Sequence, residues 1–252
     1  MKFLLPMRAL RLLVLGLFAL GLSELPATAA AATAKVRVLL VLGGHGFHKE
    51  PFWALFDGCP DSTYEIVEHP DVHAMFKPDK ARSYDVMVFY DMWDDITAEA
   101  KADLVQCLKA GKGLVVLHHA YCSYRNWSEY TEIVGGRFEF VEWTDRAGKH
   151  PATSYKHNVD FTVRVTDPLH PVTRGMSDFK IHDETYRNGR VNPGVTPLLT
   201  TEEPTSTPTL GWTHRYGQAK VVTLLLGHDT KAYENVNFRR FLHQAIHWVA
   251  TP

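Results

Sequence analysis

The sequence predicts an α/β protein built on a doubly wound parallel sheet, and three observations carry that prediction. Apolar runs end repeatedly at Gly, His or Asp: VRVLLVLG (36–43), YDVMVFYDMW (84–93), GKGLVVLHHA (111–120) and AKVVTLLLGHD (219–229). Continuous runs of Leu and β-branched residues belong to strands covered on both faces. Segments with apolar residues at helical spacing lie between the first of these runs, on short connections, as in strand–helix–strand units. After about residue 135 the texture changes, and HNVDFTVRVTDPLHPVTRGM (157–176) alternates with Pro and Gly punctuation, which predicts an antiparallel insertion in the C-terminal half.

Each element has its own warrant. The first strand stops at Gly43-Gly44, and EPFWALFDGC (50–59) follows with helical spacing. TYEIVEH (63–69) alternates like a strand, and residues 84–93 form a core strand ending at Asp91. TAEAKADLVQCLKAG (97–111) is a helix with Thr97 as N-cap, Glu99 in the first turn and Gly111 as the stop. GLVVLHH and the 219–229 run are further buried strands. NFRRFLHQAIHWVA (237–250) is a closing helix with Phe238, Phe241, Leu242, Ala245, Trp248 and Val249 along one face. No repeat, low-complexity linker or second domain is legible.

Residues 1–34 are expected to be a secretory signal peptide, with an uncleaved anchor as the alternative. Lys2, Arg8 and Arg11 supply a positive start, LLVLGLFALGL (12–22) an apolar core, and residues 25–34 small-residue cleavage sites. That core is shorter than the roughly 20 residues a bilayer span needs. The expectation is therefore a periplasmic or secreted domain over 35–252, with no membrane contact after cleavage. The chain balances 27 basic against 28 acidic residues for a net charge of −1, which excludes electrostatic capture by nucleic acid or a membrane surface. Three cysteines are too few, and odd in number, for a disulfide scaffold. One bridge stays open as an alternative to three buried apolar thiols.

The chain carries 14 histidines, several of them where apolar runs stop: His45, His48, His118, His119 and His228. In doubly wound sheets ligands bind beyond the carboxyl ends of the strands. GGHGFH, Asp91, His118-His119 and Gly227-His228-Asp229 are thus expected to meet at one edge, although any single imidazole there could simply bond a carbonyl. FKIHDETY (179–186) adds His182, Asp183 and Glu184. Carboxylates beside imidazoles serve general acid–base work or metal ligation, and mixed His and carboxylate donors suit zinc or another divalent metal. Tyr121, Tyr124, Trp127, Trp143, Trp212 and Tyr216 are candidates to stack on a sugar face, with core packing as the alternative.

Other motifs are excluded. GGHG matches neither G-x-G-x-x-G nor a Walker loop, so it marks a tight turn. In HQAIH (243–247) Gln244 stands where a zinc protease needs Glu. Cys122 lies past the expected elbow and there is no G-x-S-x-G, so a nucleophilic mechanism is poorly supported.

VLLVLGGHGFH, GKGLVVLHHA, GGRF (135–138), DPLHPVTRGM (167–176), DETY (183–186), TPTLGWTHRYGQAKVVTLLLGHD (207–229) and FRRFLHQAIHWVA (238–250) together resemble the ThuA-like (trehalose utilisation) domains. The likeness runs in order over residues 36–250. It implies a flavodoxin-like, class I glutamine amidotransferase-like fold and a link to sugar catabolism, to 3-keto sugars and neighbouring dehydrogenases in particular. Amidotransferases carry a nucleophilic Cys at the elbow that His118 or His119 occupies here, so glutaminase chemistry is not expected. The family pattern carries over to His48, His118, Glu184 and His228, with His45 and His119 beside them.

The expected function is acid–base chemistry on a carbohydrate or keto-sugar, by proton transfer beside a carbonyl or by glycosidic cleavage. His118, Glu184 and His119 are the expected catalytic residues. His45, Asp91, Tyr186, Trp212 and Tyr216 are expected to bind substrate, while His48 and His228 would hold a metal such as zinc if one is used. The expected partner is a small carbohydrate, and a homo-oligomer is left open. The alternatives are a non-catalytic carbohydrate-binding protein and amidohydrolase chemistry through Cys122.

Overall fold

The computed structural model describes residues 1–2 and 34–251, so all but the ends of the segment read as a signal peptide lie outside the described residues. Among the described residues no helix is long and apolar enough to cross a membrane.

The elements follow the predicted order through the first half. Strand β1 (Val36–Gly43) leads to α1 (Lys49–Asp57), then β2 (Ser62–Glu68), β3 (Val86–Asp91), α2 (Ala98–Lys109), β4 (Gly113–Leu117) and α3 (Ser128–Val134). The Thr97 side chain accepts the Ala100 N–H and caps α2 as expected; Gly111, at φ +102°, lies just past the helix end at Ala110. Two short pairings follow, β5 (Gly136–Arg137) with the later β10 (Arg190–Val191), and the hairpin β6 (Trp143–Asp145) with β7 (Gly148–His150). The second half supplies β8 (Ser154–Val165), β9 (Phe179–Arg187), β11 (Thr196–Thr200), β12 (Thr209–Tyr216) and β13 (Ala219–Leu224), then helices α4 (Thr230–Glu234) and α5 (Val236–Ala250).

One nine-stranded sheet runs β2-β1-β3-β4-β13-β12-β11-β8-β9. From β2 to β13 every neighbouring pair is parallel, and from β13 to β9 every pair is antiparallel. The expected antiparallel insertion therefore continues the main sheet as its extension. Period-2 alternation divides each parallel strand between two cores. Val38, Leu40 and Leu42 face α1, α4 and α5 through Phe52, Phe56, Phe238 and Phe241, whereas Leu39 and Val41 face α2 and α3 through Leu104, Leu108, Tyr130 and Ile133. Both faces of β1, β3, β4 and β13 are covered, which is why these strands read as unbroken apolar runs, whereas the edge strand β2 alternates. On α5 the buried stripe includes Ile246, with Trp248 only half-buried at its margin.

This topology sends the carboxyl ends of β1, β3, β4 and β13 to one edge. Gly44 (φ +77°) makes the turn after β1, where a Cβ would overlap the Met92 carbonyl. Beyond β13, fully buried Asp183 on β9 accepts the backbone N–H groups of Gly227 (2.7 Å), His228 (2.9 Å) and Glu184 (2.8 Å). Burial lifts its pKa against the pull of those three donors. Asp183 thus ties the loop carrying His228 to the strand carrying Glu184.

Candidate functional site

Strand β4 ends in a turn that begins at His118, whose backbone sits at φ +47°. A non-glycine residue in this region stores on the order of 1–3 kcal/mol of strain, and the ring is tied down at both nitrogens. Nδ1 lies 2.7 Å from the Leu225 carbonyl, so it carries the proton and donates. Nε2 therefore presents its lone pair to the cavity, where the Tyr186 hydroxyl reaches it at 3.0 Å. Each such bond returns about 1 kcal/mol net, enough to hold the strained turn. Burial pushes the His118 pKa down to about 3, so the ring is neutral.

Glu184 projects from β9 into the same space. Its Oε1 is 3.7 Å from His118 Nε2, and its Oε2 is 2.6 Å from His157 Nδ1 and 3.4 Å from His228 Nε2. Burial raises its pKa to about 7. Half-buried His228 is lowered, first by burial and then by the charge of His157. His118, Glu184 and His228 each offer one ligand atom, all within 4.8 Å of one another. Two imidazoles and a carboxylate at this spacing fit a divalent cation. The Leu225 carbonyl behind His118 is the kind of outer partner that fixes a ligating tautomer.

These groups line a cavity of about 560 Å³ whose walls include His45, His119, Cys122, Phe138, Phe140, Tyr155 and Tyr186. His45 lies at the rim, its ring 4.3 Å from that of His119 and 6.2 Å from that of His228. Phe140 and Tyr155 are exposed, and an apolar wall opposite imidazoles suits a ligand with one apolar face and several oxygens.

Of the expected site residues, the structure gathers His45, His118, His119, Glu184, Tyr186 and His228 at this cavity. The others lie elsewhere. His48 immediately precedes α1, is exposed, and turns its Nδ1 to Thr230 Oγ1 at 2.7 Å, so it is not among the clustered donors. Asp91 is sealed in a separate polar cluster, accepting Ser123 Oγ at 2.9 Å beside His69 at 3.3 Å. Trp212 is fully buried in the middle of the sheet, its indole N–H donating to the Val134 carbonyl at 2.9 Å. Tyr216 pairs with Ala219 at the start of β13, hence at the opposite edge, and its hydroxyl donates to Glu129. His182 shares a strand face with Glu184 but lies one pairing step earlier on β9, where its ring meets Asp160 at 2.9 Å and stays outside the clustered donors. His243 Nε2 donates to the Leu55 carbonyl. Cys59, Cys107 and Cys122 are all free and buried, and burial pushes the Cys122 thiol pKa up, away from a reactive thiolate.

His157 is the functional residue that sequence pattern concealed. The β8–β9 register pairs Lys156 with Thr185 and Val159 with Asp183, so His157 and Asn158 both stand opposite Glu184 in a bulge. Asn158 takes φ +58° there, and a bulge of this kind re-aims a side chain. An Asn following a His inside an otherwise alternating strand was the available signal. Phe138 and Phe140, in the connection after β5, carried none.

The sheet is mixed, with helices packed on both faces of its central parallel strands and an imidazole directly after β4. The ThuA family profile, described as trehalose utilisation, matches residues 37–249. The chain belongs to this family, whose description suggests a role in sugar metabolism. Among solved structures it resembles a ThuA-like protein from Parabacteroides merdae (21% identity, 86% of this chain and 90% of that one, TM-score 0.71). It also resembles a ThuA-like protein from Bacteroides uniformis (17%, 88% and 94%, TM-score 0.65). A more distant likeness is to PurLQS from Thermotoga maritima (13%, 85% and 99%, TM-score 0.51). At these identities the solved structures speak to the fold alone. Comparison with curated proteins by sequence returned no match.

Proposed function

We propose that the protein is an enzyme that moves a proton on a carbohydrate, at a carbon beside the carbonyl of a keto-sugar. The observation that carries this reading is Glu184, a carboxyl raised by burial to about 7 and set among three imidazoles on a cavity wall. A group that titrates near neutrality can both take and return a proton, which is what general acid–base catalysis requires. His157, exposed and 2.6 Å from Glu184, links that proton to bulk water. Neutral His118 orients the Tyr186 hydroxyl, and the aromatic wall offers a face for a sugar ring.

His118 Nε2, once released by the Tyr186 hydroxyl, a Glu184 oxygen and His228 Nε2 are the atoms that would hold a divalent ion. When bound, such an ion supplies Lewis-acid polarisation of a substrate oxygen. The leader-like composition of residues 1–34 supports placing the activity in the periplasm or outside the cell.

The test is a panel of keto-sugars and glycosides incubated with the protein in D₂O and followed by NMR, alongside elemental analysis of the purified chain. Deuterium entering beside the carbonyl of at least one keto-sugar is the expected result. Sugar binding with neither exchange nor turnover returns the chain to the carbohydrate-binding alternative, and no binding at all overturns the carbohydrate reading.

A further inference from the structure

His118 and His119 are neighbours in sequence and opposites in hydrogen bonding. His118 engages both ring nitrogens, one with Leu225 and one with Tyr186. His119 is 3% exposed, and neither Nδ1 nor Nε2 makes a hydrogen bond of ordinary length and angle, with a weak pull on the ring from the Tyr90 backbone. The ring is nonetheless held in place. Tyr90 packs against it with centroids 4.2 Å apart, and His45 at 4.3 Å. Tyr90 is itself anchored, its hydroxyl 2.8 Å from the Gly227 carbonyl and 2.5 Å from the Tyr233 hydroxyl.

An unpartnered buried polar group costs on the order of 1–3 kcal/mol. Phe would fill the same clamp without that cost, so packing alone does not account for an imidazole here. The ring forms part of the cavity wall beside His45, His118 and His228. We propose that His119, with His45 at the rim, forms an oxygen subsite: a ring N–H donates to a neutral oxygen of the bound carbohydrate and fixes which carbon faces Glu184. His119 is then the specificity-determining residue of the cavity. This rests on the carbohydrate reading above. The oxygen is a carbonyl or a hydroxyl; the shared chemistry is a neutral acceptor, and two probes separate the sources.

The probes are D-glucono-1,5-lactam, a stable sugar-ring analogue with a carbonyl, and D-glucose, which presents hydroxyls alone. Binding of each to the full chain is measured by calorimetry for wild type, His119→Phe and His119→Gln. The expected result is that His119→Phe keeps or raises the melting temperature yet binds at least about tenfold more weakly, the loss of one well-placed hydrogen bond from a buried site. His119→Gln, which restores a donor, recovers part of the affinity. Loss confined to the lactam identifies a carbonyl, and loss with both probes a hydroxyl. If wild type binds a probe and His119→Phe binds it equally well, the subsite is overturned while the carbohydrate reading stands. If wild type binds neither probe, the subsite is overturned, while the carbohydrate reading is decided separately by the keto-sugar panel. Should His119→Phe not fold, ¹⁵N-histidine NMR of the wild type decides: a lactam-dependent shift of the His119 ring nitrogens supports the subsite, and an unmoved signal overturns it.

Discussion

His69 and Asp91 follow β2 and end β3, while His118 and His228 follow β4 and β13, so both polar clusters occupy the same edge of one sheet. In the first cluster the side chains of His69 and Asp91 are wholly buried, with His69 stacked on Trp93 at 5.3 Å and bonded to the Tyr124 hydroxyl at 3.1 Å. In the second, Glu184 and His228 line an open cavity together with His157. Similar residue types at matching strand ends thus perform different work, and access decides which. The sealed cluster joins β2, β3 and the turn after β4, with Ser123 bridging the Asp91 carboxylate and backbone. On the function proposed above, the open cluster holds groups that take part in proton transfer where a substrate can reach them.

The comparison breaks or sharpens on substitutions at matching positions. The largest effect is expected from His118→Gln, which removes the elbow imidazole: turnover falls by at least about 100-fold, the scale of a lost acid–base or orienting group. His69→Gln in the sealed cluster changes turnover less than about fivefold, because that side chain meets no substrate. Equal losses in the two variants would erase the distinction. Asp91→Asn comes next and acts on stability. Weakening a buried carboxylate's bonds costs about 1–3 kcal/mol, measured as a shift in denaturant midpoint with turnover preserved in the folded fraction. The smallest effect is expected from Cys122→Ser. Its thiol lines the cavity but is held protonated by burial, so activity stays within about twofold; abolished activity would restore the amidohydrolase alternative.

Much of this architecture was legible beforehand. Unbroken apolar runs mark strands covered on both faces, Thr97 declares its helix, and the histidines at strand ends point to the right edge. What stayed hidden has physical causes. Asp91 ends a core strand just as His118 nearly does, and nothing local distinguishes a strand end roofed by Trp93 and Tyr124 from one that opens outward. Trp212 and Tyr216 lie on one strand, four residues apart, yet the first is buried mid-sheet and the second reaches the far edge, because β12 runs antiparallel to β13. His157 depends on a bulge that shifts pairing by one residue, which alternation cannot announce. Asp183 looked like another candidate acid; only the fold shows that its carboxylate meets three backbone N–H groups and positions the residues on either side.

Glu184→Gln is the most direct single test. Burial raises the Glu184 pKa from an ordinary 4.5 to about 7, so the folded chain keeps a proton the unfolded chain has released. Its contribution to stability is therefore complete below pH about 4.5 and lost as pH rises through about 7. The glutamine variant is expected to match or exceed wild type in stability at pH 8, with kcat/KM on the substrate found in the keto-sugar panel reduced at least about 100-fold. A well-folded Glu184→Gln protein that turns over that substrate at the wild-type rate would contradict the assignment of this cavity as the catalytic site.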